Sequence, residues 1–165
     1  MSKKELKKPV VTDFSAGMYQ WSLFLINLFL RVKKNLKIDY DSFMIMHIVF
    51  GYHLNQINRD DQKSFEQLSF QFENSIKDKT SSTVKLTVTS IASALDLPRE
   101  TVKRKVDGLI ELQILGFQSN KSISLGAKYK EVVDQFILES THDIGKLLKR
   151  WESKDYINKL IKFVD

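Results

Sequence analysis

Arg99, Glu100 and Arg104 are the side chains whose types and spacing best suit directional recognition chemistry. An arginine fork can donate two parallel hydrogen bonds, which matches the O6 and N7 atoms of guanine. A glutamate can accept a hydrogen bond from the N4 amine of cytosine. On a helix, Glu100 and Arg104 fall on one side, while Arg99 lies in the first turn, from which its long side chain can reach forward. These three residues are therefore predicted to contact base edges in DNA.

Hydroxyl and ammonium groups surround these three residues in the sequence. Such groups bind phosphate oxygens, which adds affinity and fixes the position of a protein on DNA but carries no information about the base sequence. The predicted phosphate ligands are Thr89, Thr101, Lys103, Lys105 and Lys121.

Two short helices joined by a sharp turn are predicted to position the residues that contact bases and phosphates. The first helix is expected to begin at a cap formed by Thr89 or Ser90 and to end just before Asp96. Aspartate tolerates a left-handed backbone better than most residues other than glycine, which suits the turn. Pro98 has a fixed φ and no amide donor, so it is predicted to start a second helix over 98–112.

Short β-prone segments flank the two predicted helices. Leu86–Val88 precedes them, and the runs 115–118 and 122–125 follow them around a polar tip that contains Lys121. The order strand, helix, turn, helix and hairpin is typical of a winged helix-turn-helix. We predict this arrangement over residues 84–125.

The run from Arg99 to Arg104, RETVKR, resembles the start of the recognition helix in the cyclic-AMP receptor protein family, which reads R-E-T-V-x-R. The resemblance implies that both arginines and the glutamate touch base edges and that Thr101 touches phosphate. It also implies that Lys121 corresponds to a lysine of the wing. Lys105 departs from the pattern, because that family usually has an inward-facing apolar residue there.

The resemblance to that family covers roughly a quarter of the chain. The β-roll that binds cyclic nucleotide in the family is rich in glycine, whereas residues 1–78 here have a helical pattern and contain only Gly17 and Gly51. No cyclic-nucleotide site is therefore expected. The overall plan, with helices before and after a winged helix, is similar to the multiple-antibiotic-resistance regulator family, whose terminal helices build a dimer. This second resemblance implies a homodimer and leaves open whether a small-molecule effector binds.

An uncharged segment, 14–30, lies within a predicted helix over 13–36. Its apolar residues follow two lines, so two sides of the helix need to be covered. The second line contains Leu23, Ile26 and Leu30. A membrane span is the alternative, but a span needs about 20 mostly apolar residues, and this segment is shorter and includes polar ones. The first line is predicted to form a dimer interface through Phe14, Met18, Trp21, Leu25, Leu28 and Val32.

The remaining segments have mostly helical periodicity. Helices are predicted at 40–57, at 64–77, and from 127 to at least 138, followed by a further C-terminal helix, and the polar run 78–83 is the predicted linker. The fold class is thus expected to be mainly α with a small β-wing. Four segments are predicted: a basic flexible arm (1–12), an N-terminal helical dimerisation region (13–83), a winged helix-turn-helix (84–125) and C-terminal helices (126–165).

The 165-residue chain has a formal net charge of +6, a pI near 9.4 and no cysteine. The positive charge favours a polyanionic partner, and the lack of cysteine excludes disulfides and thiolate metal sites. His47, His53 and His142 do not have the i, i+4 spacing of a helical metal site. The sequence contains neither a phosphate-cradling loop motif nor a nucleophile elbow. We therefore expect no enzymatic activity, no metal and no cofactor.

Together these patterns predict a sequence-specific regulator of transcription that binds double-stranded DNA as a homodimer. It is expected in the cytoplasm, associated with the nucleoid and not with a membrane. Two alternatives stay open. A winged helix can bind another protein, in which case its basic side is ordinary solvated surface. A replication or partition factor of plasmid or phage type would bind DNA at direct repeats instead of a palindrome.

Overall fold

The computed structural model describes residues 11–57 and 85–164, together with a few single residues between them (Ser64, Glu66, Gln67, Phe70 and Asn74). It is mainly helical with one small antiparallel sheet, which confirms that part of the predicted fold class. The predicted basic arm up to residue 10, the predicted helix over 64–77 apart from those single residues, and the predicted linker 78–83 lie outside the described residues.

The helices and strands follow one another in an order close to the predicted one. They are α1 (Val11–Arg31), a π-helical turn (Val32–Leu36), α2 (Tyr40–Ile57), α3 (Val88–Leu95), α4 (Arg99–Glu111), β1 (Leu115–Phe117), β2 (Ile123–Leu125), α5 (Tyr129–Ser153) and α6 (Tyr156–Val164). None of the helices formed by the described residues is long and apolar enough to span a membrane.

The described residues form two compact units. One contains residues 11–35 and 135–164, and the other contains 36–57 and 85–134. The division differs from the predicted segments, which grouped α2 with α1. The reason is that α2 packs against α3, α4 and β2, so it belongs with the second unit.

The core of the second unit is built on α2. This helix buries an apolar side, and Ile45 and Val49 have no exposed surface. Near its end, the Phe50 ring stacks on the ring of Tyr129, with the ring centroids 6.0 Å apart. Tyr129 is the first residue of α5, so this contact holds the start of that helix in the second unit. Burial raises the pKa of the Tyr129 hydroxyl above its ordinary value.

Thr87 caps α3, two residues before the first predicted cap. The Thr87 side chain accepts a hydrogen bond from the Ser90 amide at 3.2 Å, and the Ser90 hydroxyl accepts one from the Thr87 amide at 2.9 Å. This reciprocal capping box satisfies two donors at once, which a cap by Thr89 does not do. The cap also ends the predicted strand Leu86–Val88, because Val88 already belongs to α3.

Leu86 still docks on the hairpin, although it forms no strand. Its carbonyl accepts a hydrogen bond from the Ile123 amide at 2.9 Å, and its amide donates to the Ser122 hydroxyl at 2.9 Å. Ser122 is fully buried, and this bond gives its hydroxyl a partner. Leu86 thus attaches the described residues before α3 to the second half of the hairpin.

The turn between α3 and α4 has the predicted left-handed residue. Asp96 has φ 51° and ψ 44°, and the Leu97 amide donates to the Ala92 carbonyl at 3.1 Å. Pro98 is the residue just before α4 instead of its first helical residue. The predicted boundaries of this helix were therefore wrong by one residue at each end, a common uncertainty at helix termini.

The hairpin pairs Leu115 with Leu125 and Phe117 with Ile123. Gly126 follows β2 at a point where two backbone segments nearly touch. A Cβ atom added there would lie 2.2 Å from the carbonyl oxygen of Gln113 and 2.6 Å from that of Leu115. Gly126 is therefore required by space and not by an unusual φ.

The C-terminal part of the chain contains a long helix followed by a short one, in the predicted order. α5 continues through residue 138 without interruption up to Ser153, and α6 follows after Asp155, which has φ 58°. In the first unit, α5 and α6 pack against α1. Trp21 lies against Trp151 with ring centroids 6.4 Å apart, and the buried Gly17 lies against Tyr156.

Arg31 joins the end of α1 to α5. Its guanidinium binds Glu139 through Nε at 3.0 Å and Ser140 through Nη1 at 3.0 Å, and Nη2 pairs with Asp143. Its side chain is only 13% exposed. Asn35 adds a hydrogen bond to Glu139 at 3.2 Å. A planar fork with several donors suits these three acceptors, whereas a single ammonium does not.

Arg31→Lys is expected to lower the free energy of unfolding by about 1–3 kcal/mol, because lysine leaves at least one of the half-buried acceptors without its partner. Urea unfolding followed by circular dichroism measures this change. Lys34→Ala, an exposed neighbour, is the control and should change stability by less than about 0.5 kcal/mol. Equal effects of the two variants would show that the Arg31 network does not stabilise the fold.

Gly126→Ala is expected to destabilise the protein by about 2–3 kcal/mol or more, since the new methyl group meets fixed backbone atoms. Gly116→Ala is the matched control in the same hairpin, because a Cβ there would lie 3.8 Å from its nearest neighbour. Thermal unfolding of both variants measures the difference. A Gly126→Ala variant as stable as Gly116→Ala would mean that the backbone approach is not required.

Candidate nucleic-acid interface

α4 is divided into a buried side and an exposed side. Val102, Val106 and Leu109 are at most 1% exposed, and they pack toward α2 and α3. Their spacing of four and three residues places them on one side of a helix that turns 100° per residue. This buried side fixes the rotation of α4, and therefore the direction in which its other residues point.

The opposite side of α4 carries two of the charged residues that were predicted to contact bases, Glu100 and Arg104, while Arg99 lies in the first turn of the helix. Arg99, Glu100 and Arg104 are all exposed, as is Lys103, and Thr101 is half-buried. Within the part of the chain that the structure describes, these four charged side chains have no ion-pair partner. Their hydrogen-bonding groups are therefore available to a ligand.

Lys105 differs from its neighbour Arg104. Its side chain is only 18% exposed, and its ammonium group pairs with the Asp39 carboxylate. The prediction that Lys105 binds phosphate must be corrected, because this lysine already has a partner inside the second unit.

Asp39 uses its two carboxylate oxygens on two different elements. Oδ1 accepts a hydrogen bond from the Ser42 amide at 3.0 Å and caps α2, while Oδ2 pairs with Lys105 on α4. Partial burial alone would raise the pKa of Asp39, but the bonds from Lys105 and Ser42 outweigh it and hold the pKa below its ordinary value. The carboxylate therefore ties the start of α2 to the middle of α4.

Sequence reasoning missed Asp39. A D-x-x-S pattern before an apolar run signals a cap, so its role at the start of α2 was open to prediction. Its partner on α4 was not, because the two residues are 66 positions apart and no local spacing relates them.

Two other predicted phosphate ligands lie on neighbouring elements of the second unit. Thr89 is exposed in the first turn of α3. Lys121 is exposed at the tip of the hairpin with φ 64°, in a tight turn in which the Lys121 amide donates to the Gln118 carbonyl at 2.9 Å. The Asn120 side chain accepts a bond from the Ser122 amide at 2.8 Å and braces this turn.

The predicted dimer residues of α1 do not form one exposed line. Val32 is buried within the protomer, Leu25 and Leu28 are half-buried, and Trp21 packs against Trp151. Met18 is exposed, whereas the side chain of Phe14 lies outside the described residues. The prediction that Val32 lies in a dimer interface was wrong, because its surface is already covered.

The described part of the chain contains no group of three His, Cys, Asp or Glu side chains with metal-site geometry. Comparison of the chain with models of protein families, with curated proteins and with solved structures found no match.

Asp39→Asn tests the connection between α2 and α4. Asparagine caps a helix as well as aspartate does, so the substitution removes the ion pair with Lys105 and keeps the cap. Because the Asp39 side chain is 54% exposed, the expected loss is below about 1 kcal/mol at neutral pH. Urea unfolding of the wild type and the variant measures it.

The stability difference between the wild type and Asp39→Asn is expected to depend on pH. A carboxyl group whose pKa is lower in the folded state stabilises the fold at a pH above its unfolded value, here 3.8, and this stabilisation is lost as the pH falls through the folded pKa. The stability difference between wild type and Asp39→Asn should therefore shrink below that pH. A difference that is the same at about pH 3 and about pH 7 would contradict the assigned charge interaction.

Proposed function

We propose that the second unit is a winged helix-turn-helix and that the protein is a sequence-specific, double-stranded DNA-binding regulator of transcription that acts as a homodimer. In this proposal α3, the Asp96 turn and α4 form the helix-turn-helix, and β1 and β2 form the wing. α4 enters the major groove, as the second helix of such motifs does.

One observation carries the proposal. Glu100 and Arg104 are exposed on the side of α4 opposite its buried side, and Arg99 is exposed in the first turn. Directional side chains on a rigid support can discriminate bases, because each hydrogen bond is formed or lost with little freedom to adjust. Lysines alone would give affinity without discrimination.

The proposed roles follow the chemistry of each side chain. Arg99 and Arg104 bridge guanine O6 and N7, and Glu100 accepts from cytosine N4. Thr89, Thr101, Lys103 and Lys121 contact phosphates, and Lys105 supports α4 through Asp39.

The first experiment is sequencing of genomic DNA fragments retained by the purified full chain at about 150 mM salt, where non-specific phosphate binding is weakened. An inverted repeat with half-sites about 34 Å apart supports the regulator. Enrichment of direct repeats favours a replication or partition factor. If no sequence is enriched in the retained fragments relative to the input DNA, a protein-binding winged helix is favoured and the proposal is overturned.

Arg104→Ala is expected to weaken binding to the selected site by about 1–3 kcal/mol and to relax preference at one base position. Lys103→Ala should weaken binding to all sequences alike and reduce the slope of log affinity against log salt by about one per protomer bound. Fluorescence anisotropy across a salt series measures both effects.

Lys149→Ala, on an exposed position of α5, is the control for the loss of one positive charge. It removes the same net charge as the other two substitutions without touching α4. If all three variants lose affinity equally and keep the same base preference, α4 is not the reading element.

A further inference from the structure

α1 has a second apolar line on the side opposite its packed residues. Tyr19, Leu23, Ile26 and Leu30 are separated by four, three and four residues and are 65%, 40%, 55% and 60% exposed. This spacing is that of the d and a positions of a coiled coil, which keep to one side of a helix. The residues that pack toward α5 and α6, such as the buried Gly17, lie on the other side.

The exposed apolar area on α1 is large for a free surface. Met18 and Phe29 flank the line and are 56% and 38% exposed. With roughly 200 Å² for each fully exposed large side chain, the six residues leave on the order of 600 Å² of surface uncovered. This reaches the upper limit of the largest patch on a typical monomer, about 300–600 Å², and approaches the 800 Å² that each partner buries in a standard interface.

The residues beside the line indicate what covers it. Positions that flank the seam of a coiled coil set the choice of partner through their charges. Here they are Gln20, Ser22, Asn27 and Phe29, and none is charged. An identical helix meets no like-charge repulsion there, and a strongly charged partner finds nothing to pair with.

We infer that a second copy of this chain packs its α1 on the line Tyr19–Leu23–Ile26–Leu30. The interface is isologous, so the same line on each copy buries the other. It differs from the predicted interface, in which Val32 is covered within one protomer and Leu25 and Leu28 are half-buried. The inference takes the homodimer from the proposed function. It adds which surface of α1 forms the dimer interface.

Cysteine cross-linking tests the inference directly, because the chain has no cysteine of its own. Leu23→Cys and Ile26→Cys, each in the full chain, are oxidised at micromolar concentration without DNA. In an isologous interface, a residue near the two-fold axis meets itself across the copies. At least one of the two variants is expected to form a disulfide-linked dimer in most molecules, whereas Glu111→Cys, on an exposed position of α4, should remain monomeric on a reducing-agent-free gel.

Sedimentation of the uncross-linked protein gives an independent measurement. The wild type should sediment as a dimer, and Ile26→Glu should raise the dimer dissociation constant by at least about tenfold, because it buries an unpaired carboxylate. Thr141→Glu, an exposed position on α5, is the control for an added negative charge and should leave the constant unchanged. Circular dichroism checks that each variant is folded. If Ile26→Glu does not fold, the cysteine variants still test the interface.

A wild type that is monomeric up to about 100 μM, with no cross-link at either position, overturns the inference. If that monomer floats with anionic vesicles, α1 lies on a membrane surface instead. Both experiments are made without DNA, so they separate the two proposals. A cross-linked dimer that selects no DNA sequence sinks the regulator and leaves the interface standing. A dimer that selects an inverted repeat but forms no cross-link at either position does the reverse.

Discussion

The structure of the second unit depends on the burial of one side of α4. Val102, Val106 and Leu109 leave almost no surface to solvent, and each fully buried aliphatic side chain of this size contributes about 1.5–3 kcal/mol relative to an exposed one. α2 and α3 are positioned by the need to cover these residues, and the left-handed Asp96 lets α3 turn back onto them. The direction of every charged side chain on α4 is a consequence of this packing.

Arg104 and Lys105 are adjacent in sequence, but the rotation of the helix places them in different surroundings. Arg104 points outward without an ion-pair partner among the described residues, while Lys105 sits 100° around the helix and reaches Asp39. The pair at Lys105 lets a charged residue occupy a nearly buried position, since an unpaired ammonium there would be costly. Net charge alone therefore overstates the number of cations that α4 offers to a polyanion.

Local signals predicted the parts of the fold that depend on neighbours in sequence. Helix periodicity gave α2 over Tyr40–Ile57, and the tolerance of aspartate for positive φ gave the turn at Asp96. The cap of α3 was misplaced because Thr87, Thr89 and Ser90 are all capping residues, and only the capping-box geometry selects Thr87. The two apolar lines of α1 have the same spacing, so periodicity cannot tell which of them faces α5. That choice is made by contacts such as Trp21 with Trp151, between residues far apart in sequence.

The DNA-binding side proposed for α4 and the dimer interface proposed for α1 would be thermodynamically coupled. In the proposed complex the lysines of each protomer that contact phosphates are Lys103 and Lys121, and a protein that neutralises so few phosphates binds DNA weakly at physiological salt. A second protomer held at α1 makes its own contacts at a high effective concentration, so the two weak surfaces act as one stronger site. If both proposals hold, a duplex with two half-sites binds the dimer better than the monomer, and by reciprocity DNA strengthens the α1 interface by the same factor. Under the two proposals, the exposed apolar line on α1 and the exposed arginines on α4 contribute to one coupled equilibrium of dimerisation and DNA binding.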